Sequence, residues 1–326
     1  MKAPAFWWQD TPTLAARLLA PGAAIVSHIA SRRMARPPSQ RLDIPVVCVG
    51  NPTVGGSGKT PVAIAIADAL AKAGRAPVFL TRGYRGSERG PVRVEKDHRA
   101  AEVGDEPLLL AQHWPTIVSR DRAAGGALAQ RHGDVVVMDD GFQNPLLAKD
   151  FSVLVVDAAV GLGNGRVTPS GPLRAPFAAH EPYADALILT TAGEPSAPVP
   201  RTTLPIHDVA LRTVSPVDMR GAKVFAFAGI GRPEKFFAGL RSLGADICET
   251  RSFGDHAALS EPDAERILGT AHAQGLVIAT TAKDLVRLGS GPFAQALAAQ
   301  ALRVDVQAEL PDALIAAILS ACEDRA

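Results

Sequence analysis

The sequence predicts an α/β protein built on a mainly parallel sheet, because short apolar runs alternate with helix-length segments along its 326 residues. Composition agrees: 47% of residues are hydrophobic and only 5% aromatic, so packing rests on Ala, Val, Leu and Ile. The chain is long enough for two domains. Apolar runs at 44–49, 77–80, 135–138, 152–156 and 186–189 read as strands, and 62–73 reads as a buried helix stopped by Gly74. Residues 191–205, rich in Pro, Ser and Thr, read as a linker. A second series follows, with strands at 223–228, 246–249, 276–280 and 302–306 and helices at 233–243, 261–274 and 313–322. The expected organisation is therefore an amino-terminal helical segment (1–40), a sheet domain (41–205) and a smaller α/β domain (206–326), with substrate in the cleft between the two lobes.

Residues 46–60 read VVCVGNPTVGGSGKT, an apolar strand that breaks into glycines before a helix. That is the layout of a phosphate-binding P-loop, and it makes the first domain P-loop NTPase-like. Glycines at 55, 56 and 58 let the backbone wrap an anion, and amides at the helix start point at it. The nucleotide-binding residues expected are Thr53, Val54, Gly55, Gly56, Ser57, Gly58, Lys59 and Thr60, with Lys59 on the β- and γ-phosphates and Thr60 on Mg²⁺. Thr53 stands where the general pattern has glycine. Pro61 suits a first helical turn, where an amide has no partner inside the helix.

Charge and cysteine usage exclude several classes. Thirty-four basic residues against 33 acidic ones leave a net charge of +1, which gives no global electrostatic case for nucleic acid. Cys48, Cys248 and Cys322 are too far apart for a metal spacing or a disulfide framework and suit a reducing compartment. No apolar stretch reaches the length of a membrane span. The amino terminus carries Phe6, Trp7 and Trp8, then scattered leucines and isoleucines, then Arg32, Arg33, Arg36 and Arg41. Two readings stand: an interfacial segment for a membrane surface, or a helical pair broken at Pro21-Gly22 that packs on the domain.

Several carboxylates carry possible chemistry. Asp139 and Asp140 end a buried strand, where a P-loop protein holds Mg²⁺, although Asp140-Gly141 is also turn chemistry. Asp105 and Glu106 precede a helix, as a cap or as chemistry. Asp255-His256 is a solvated loop pair or a proton relay. Arginines in TRGYRG (81–86) and SGPLR (170–174) sit on glycine-bounded loops, as phosphate recognition requires.

The motifs GNPTVGGSGKTP, TRGYRG, GDEP, SRDR, MDDGFQN, PSGPLRAP, FGDH and TTAKD occur in one order between about residues 44 and 288. In that order the chain resembles the tetraacyldisaccharide 4'-kinases of lipid A biosynthesis. The resemblance implies transfer of the γ-phosphate of ATP, with Mg²⁺, to the 4'-hydroxyl of an acylated glucosamine disaccharide 1-phosphate, giving lipid IVA. It implies Asp105 and His256 as the catalytic pair, Thr60, Asp139 and Asp140 as magnesium ligands, and Arg174 facing substrate or phosphates. A substrate that stays in the bilayer implies a peripheral enzyme on the cytoplasmic face of the inner membrane. Asn144 stands where relatives commonly carry histidine, and Arg85 where glycine is frequent, so local contacts there are expected to differ. The alternatives are a nucleotide switch or chaperone, against which TTAKD is a poor guanine motif, and a kinase of a soluble small molecule.

Overall fold

The apolar runs form strands of a single twelve-stranded sheet in a computed structural model that describes residues 3–9, 11, 13–193, 197–255, 257 and 259–324. A 3-10 turn at Ala5–Trp8 and helices α1 (Leu14–Leu18) and α2 (Ala20–Met34) come first. Then follow β1 (Val46–Gly50), α3 (Lys59–Lys72), β2 (Pro77–Thr81), β3 (Val92–Arg93), α4 (Ala100–Val103), α5 (Asp105–Ala111) and β4 (Thr116–Val118). The amino-terminal half closes with α6 (Arg122–Ala129), β5 (Val135–Asp139), β6 (Phe151–Asp157), α7 (Phe177–His180) and β7 (Ala186–Thr191). The carboxyl-terminal half runs β8 (Ile206–Val214), β9 (Lys223–Ala228), α8 (Pro233–Ser242), β10 (Asp246–Ser252), α9 (Glu261–Gln274) and β11 (Val277–Thr281). It ends with α10 (Ala282–Leu285), α11 (Pro292–Gln300), β12 (Leu302–Glu309) and α12 (Asp312–Glu323).

Strand order is β10-β9-β11-β12-β8-β7-β6-β1-β5-β2-β4-β3. The ladders are parallel except β12 with β8 and β3 with β4. β1 lies between β5 and β6 and is buried along its whole length. Val47 and Val49 pack with Ile66 and Leu70 of α3 and Leu314 and Ile318 of α12. Val46 and Cys48 face the opposite layer, with Leu42, Met138 and Leu147. The chain builds outward from β1 on the β5 side and then crosses to β6, which makes the end of β1 a topological switch point.

Several features differ from the sequence reading, among them the short strands β3 and β4, which it did not anticipate. β8 was not foreseen, because IHDVALRTV is largely exposed or half-buried and only Val209 is fully covered. Through its antiparallel pairing with β12 it joins the two strand series. The expected break at Pro21-Gly22 falls instead at Leu19, and Pro21 sits in the first turn of α2, where its missing N–H is no loss. Trp7, expected among the interfacial rings, is buried and donates its indole Nε1–H to the Pro169 carbonyl at 3.0 Å, so it belongs to the packing of the protein.

Candidate active site

The loop between β1 and α3 has the form its glycines require. Gly58, which caps α3, has φ +83, and a Cβ there would stand 2.7 Å from Leu211 Cδ1. Side chains at its own start and from distant segments bond its backbone carbonyls. Asn51 Nδ2 donates to the Thr53 carbonyl at 2.6 Å, and Thr190 Oγ1, at the end of β7, donates to Ser57 O at 2.9 Å. Residues 172–174 lie against its first half: Val54 N donates to Pro172 O, and Arg174 N to Pro52 O, each at 2.8 Å. Arg232, just before α8, donates to Gly56 O at 2.9 Å and is ion-paired with Asp157 at the end of β6. Lys235 shares that carboxylate at 2.6 Å.

The two aspartates after β5 have separate environments. Asp140 (φ +56) is ion-paired to Arg174 at 2.8 Å and to Lys59 at 3.8 Å. Burial would raise its carboxyl, but Lys59 and Arg174 overcome that and hold it at about 2. Asp139 is buried without such an ion pair among the described residues; burial, reinforced by the charge of Glu106, pushes it up to about 7. Its Oδ2 accepts from Thr60 Oγ1 at 3.4 Å, and its Oδ1 has no hydrogen-bond partner. Among the described residues, Asn51 Oδ1 and Ser57 Oγ are also buried without partners, so three orphaned polar atoms belong to this loop and the strand end beside it. Such groups ask for a ligand. A carboxylate and a hydroxyl side by side fit a small hard cation, which takes its remaining oxygens from phosphates and water. No cluster of three or more His, Cys, Asp or Glu side chains that could hold a metal ion is found among the described residues.

Arg174 is fixed from behind. It donates from Nε to Thr53 O at 3.1 Å and from Nη1 to Gln143 Oε1 at 3.3 Å. Gln143 in turn donates to Asn51 O at 2.9 Å and meets His180 Nε2 at 3.2 Å. The Pro176 carbonyl can only accept, so His180 Nδ1, 3.0 Å away, carries the proton and Nε2 accepts from Gln143. Burial keeps His180 neutral, with its ring down at about 4. In this chain Asn144 lies outside that relay and turns its Oδ1 to the Leu146 amide at 2.9 Å.

The GDEP segment meets the site at α5. Gly104 precedes Asp105 with φ +94, and a Cβ there would lie 2.7 Å from Tyr84 O, so the TRGYRG loop packs backbone to backbone on the helix start. Asp105 is buried and ion-paired with Arg287, Nε to Oδ2 at 2.8 Å. Glu106 pairs with Lys283 at 2.7 Å, and Lys283 draws its carboxyl below the usual range. Arg85 extends over Tyr84 and donates to Asp255 O at 3.4 Å, which joins the TRGYRG loop to FGDH. His256 itself lies outside the described residues. The SRDR aspartate, Asp121, caps α6 by accepting from Ala123 N and Ala124 N.

Of the residues singled out from the sequence, the structure brings together the loop, Asp139, Asp140 and Arg174, and sets Asp105 at the start of α5. The sequence reading missed Gln143, Thr190, Arg232, Lys235, Lys283 and Arg287. One signal was available for Arg232 and Lys235: GIGRPEK follows a strand and places proline in a first helical turn, a second glycine-bounded strand-to-helix loop.

The family model for tetraacyldisaccharide-1-P 4'-kinase matches residues 15–323. A tetraacyldisaccharide 4'-kinase of Methylobacterium nodulans is 51% identical over 88% of each chain, and one of Methylobacterium sp. (strain 4-46) is 48% identical over 98% of each. The solved "apo" form LpxK from Aquifex aeolicus, in complex with ATP, superposes with a TM-score of 0.77 at 27% identity, covering 95% of this chain and 100% of that one.

A buried, unpaired carboxylate costs the fold and serves a ligand. Asp139→Asn is therefore expected to melt at the same or a higher temperature than wild type at pH 8 without nucleotide, while turnover drops on the order of 100-fold or more. Calorimetry and a kinase assay on the same preparation check both halves; a variant that melts well below wild type would make Asp139 a structural strut instead.

Proposed function

The chain belongs to the tetraacyldisaccharide-1-P 4'-kinase family, and from that premise we propose how its residues carry the reaction. It is an ATP-dependent phosphotransferase of lipid A biosynthesis that phosphorylates the 4'-hydroxyl of a tetraacyldisaccharide 1-phosphate. A switch, a chaperone and a soluble-substrate kinase give way to this reading, because the family match runs over nearly the whole chain. The observation that carries the site assignment is the group of orphaned polar atoms at Asn51, Ser57 and Asp139 around a glycine loop of the right form.

In this reading the amides of residues 55–60 and the Lys59 ammonium bind the β- and γ-phosphates of ATP. Thr60 and Asp139 would hold Mg²⁺, which when bound neutralises charge on the β- and γ-oxygens. Asp140, already engaged by Lys59 and Arg174, keeps those two cations in place beside the phosphates. Arg174, held at three points, faces phosphate or substrate. The 4'-oxygen forms a bond to the γ-phosphorus as the bond to the bridging oxygen breaks, ADP leaves with the electron pair, and Asp105 accepts the hydroxyl proton. His256 orients that carboxylate. The two halves act as lobes about the cleft, with closure completing the pair.

Lipid access assigns the amino terminus. Exposing acyl chains to water costs roughly 0.8 kcal/mol per CH₂, so the enzyme meets its substrate at the membrane. Support comes from α1 and α2, whose small residues Ala16 and Ala23 are buried while Leu14 and Leu18 (each 73% exposed), Ile25 and Ile29 point to solvent. Arg17, Arg32 and Arg33 accompany them. Ser170 Oγ bonds Ala16 O at 2.6 Å, two residues before the segment that pairs with the glycine loop, so this surface adjoins the nucleotide site. Among the described residues no helix is long and apolar enough to cross a membrane. We place the enzyme peripherally on the cytoplasmic face of the inner membrane, where ATP and the lipid meet, with no nucleic-acid partner.

With γ-labelled ATP, Mg²⁺ and disaccharide 1-phosphate in detergent micelles, the protein is expected to label the lipid. Asp105→Ala and His256→Ala should each lose about 10²- to 10⁴-fold in kcat with ATP affinity nearly intact. Either variant at wild-type turnover would remove that residue from the mechanism.

The quadruple variant Leu14→Ser, Leu18→Ser, Ile25→Ser, Ile29→Ser should lose sedimentation with anionic liposomes yet keep its melting temperature, since these side chains cover no core. Unchanged sedimentation would return α1 and α2 to a packing role.

A further inference from the structure

The two adjacent carboxylates that open α5 are each gripped by a cation from the other half of the chain. Lys283, in α10, reaches Glu106, and Arg287, four residues on, reaches Asp105. That spacing puts both cations on one face, one turn apart. The pairs differ in depth. Lys283 and Glu106 keep about a quarter of their side chains in solvent, at 27% and 28%, whereas Arg287 and Asp105 keep 5% and 6%.

Arg287 is itself immobilised. Its Nη1 donates to the Gly229 carbonyl at 2.5 Å and lies 3.6 Å from Asp284 Oδ1. That carboxylate accepts from Gly229 N at 2.8 Å and, through Oδ2, from Thr281 Oγ1 at 2.6 Å. The guanidinium therefore has one allowed position, fixed by the turn after β9 and by α10. From there Nε and Nη2 both address a single oxygen of Asp105, Oδ2. A buried ion pair is a poor way to gain stability, because desolvation offsets most of its attraction. An immobile fork on one oxygen is a good way to set the rotation of a carboxylate, which fixes where its other oxygen points.

We infer that Arg287 is a positioning residue for phosphoryl transfer: it sets the orientation of the Asp105 carboxylate and supplies its counter-charge, while Lys283 does the same for Glu106. The inference rests on Asp105 as the group that takes the hydroxyl proton. It makes the carboxyl-terminal half a contributor to the acceptor side of the reaction through residues 283–287, in addition to the loop at 253–256.

The test compares full-length wild type, Arg287→Lys, Arg287→Met, Lys283→Gln and Asp105→Asn in the micelle assay, with kcat and KM for ATP measured separately and melting temperature recorded for each. Arg287→Met is expected to lose about 100-fold or more in kcat with KM for ATP within about 3-fold of wild type. Arg287→Lys restores the charge without the fork and should recover about 10-fold of that loss while staying below wild type. Lys283→Gln, in the more exposed pair, should lose about 5-fold in kcat at unchanged KM for ATP. If Arg287→Met does not fold, Arg287→Lys and Lys283→Gln decide between them: reduced kcat at unchanged KM in both supports the inference, and wild-type kcat in either overturns it. Equal rates for the Arg287→Met and Arg287→Lys variants, or an Arg287→Met variant within about 3-fold of wild type, also overturn it. An inactive wild type would instead sink the kinase reading, and an active Asp105→Asn the assignment of the base.

Discussion

Because β1 is hydrogen-bonded on both sides to parallel strands, the carboxyl ends of β5, β1 and β6 lie along one edge of the sheet. Each end delivers a different part of the site: Asp139 and Asp140 from β5, the glycine loop from β1, and Asp157 from β6. An antiparallel neighbour on either side would carry its loop to the opposite edge. The apolar cover that α3 and α12 give one face, and Leu42, Met138 and Leu147 the other, is what keeps this three-strand register rigid.

On that frame the charges are divided by task. Asp140 and Asp157 are neutralised by Lys59, Arg174, Arg232 and Lys235, which leaves those four cations around the loop with fixed partners. Asp139 is left with an unpartnered oxygen and a carboxyl held near 7 by burial. Paired aspartates that look alike in sequence thus have different surroundings, one ion-paired to cations of the protein and one buried with an oxygen that has no partner. Preorganised charge of this kind costs stability in the empty protein and lowers the reorganisation needed in the reaction.

Much of this was legible in the chain. The strand runs at 44–49, 77–80, 135–138, 152–156 and 186–189 and the helix after Gly58 are local patterns, each contained within some fifteen residues, and they form where the sequence places them. What stayed hidden depends on contacts between distant positions. Arg287 meets Asp105 across 182 residues and Arg232 meets Gly56 across 176, and nothing near a loop arginine says which carboxylate it will face. β8 was invisible for a different reason: a strand whose side chains are mostly exposed has no apolar periodicity to read. Trp7 shows the converse case, since an aromatic beside basic residues reads as interfacial until its ring is found buried with its N–H on a backbone carbonyl.

The most direct test is a crystal structure of the protein with a non-hydrolysable ATP analogue and Mn²⁺, whose anomalous signal locates the cation. The peak is expected within about 2.0–2.3 Å of Thr60 Oγ1 and Asp139 Oδ1, with the Arg174 to Asp140 ion pair intact. A peak on Asp140 with Arg174 displaced, and Asp139 left without a partner, would contradict the division of roles between the two aspartates.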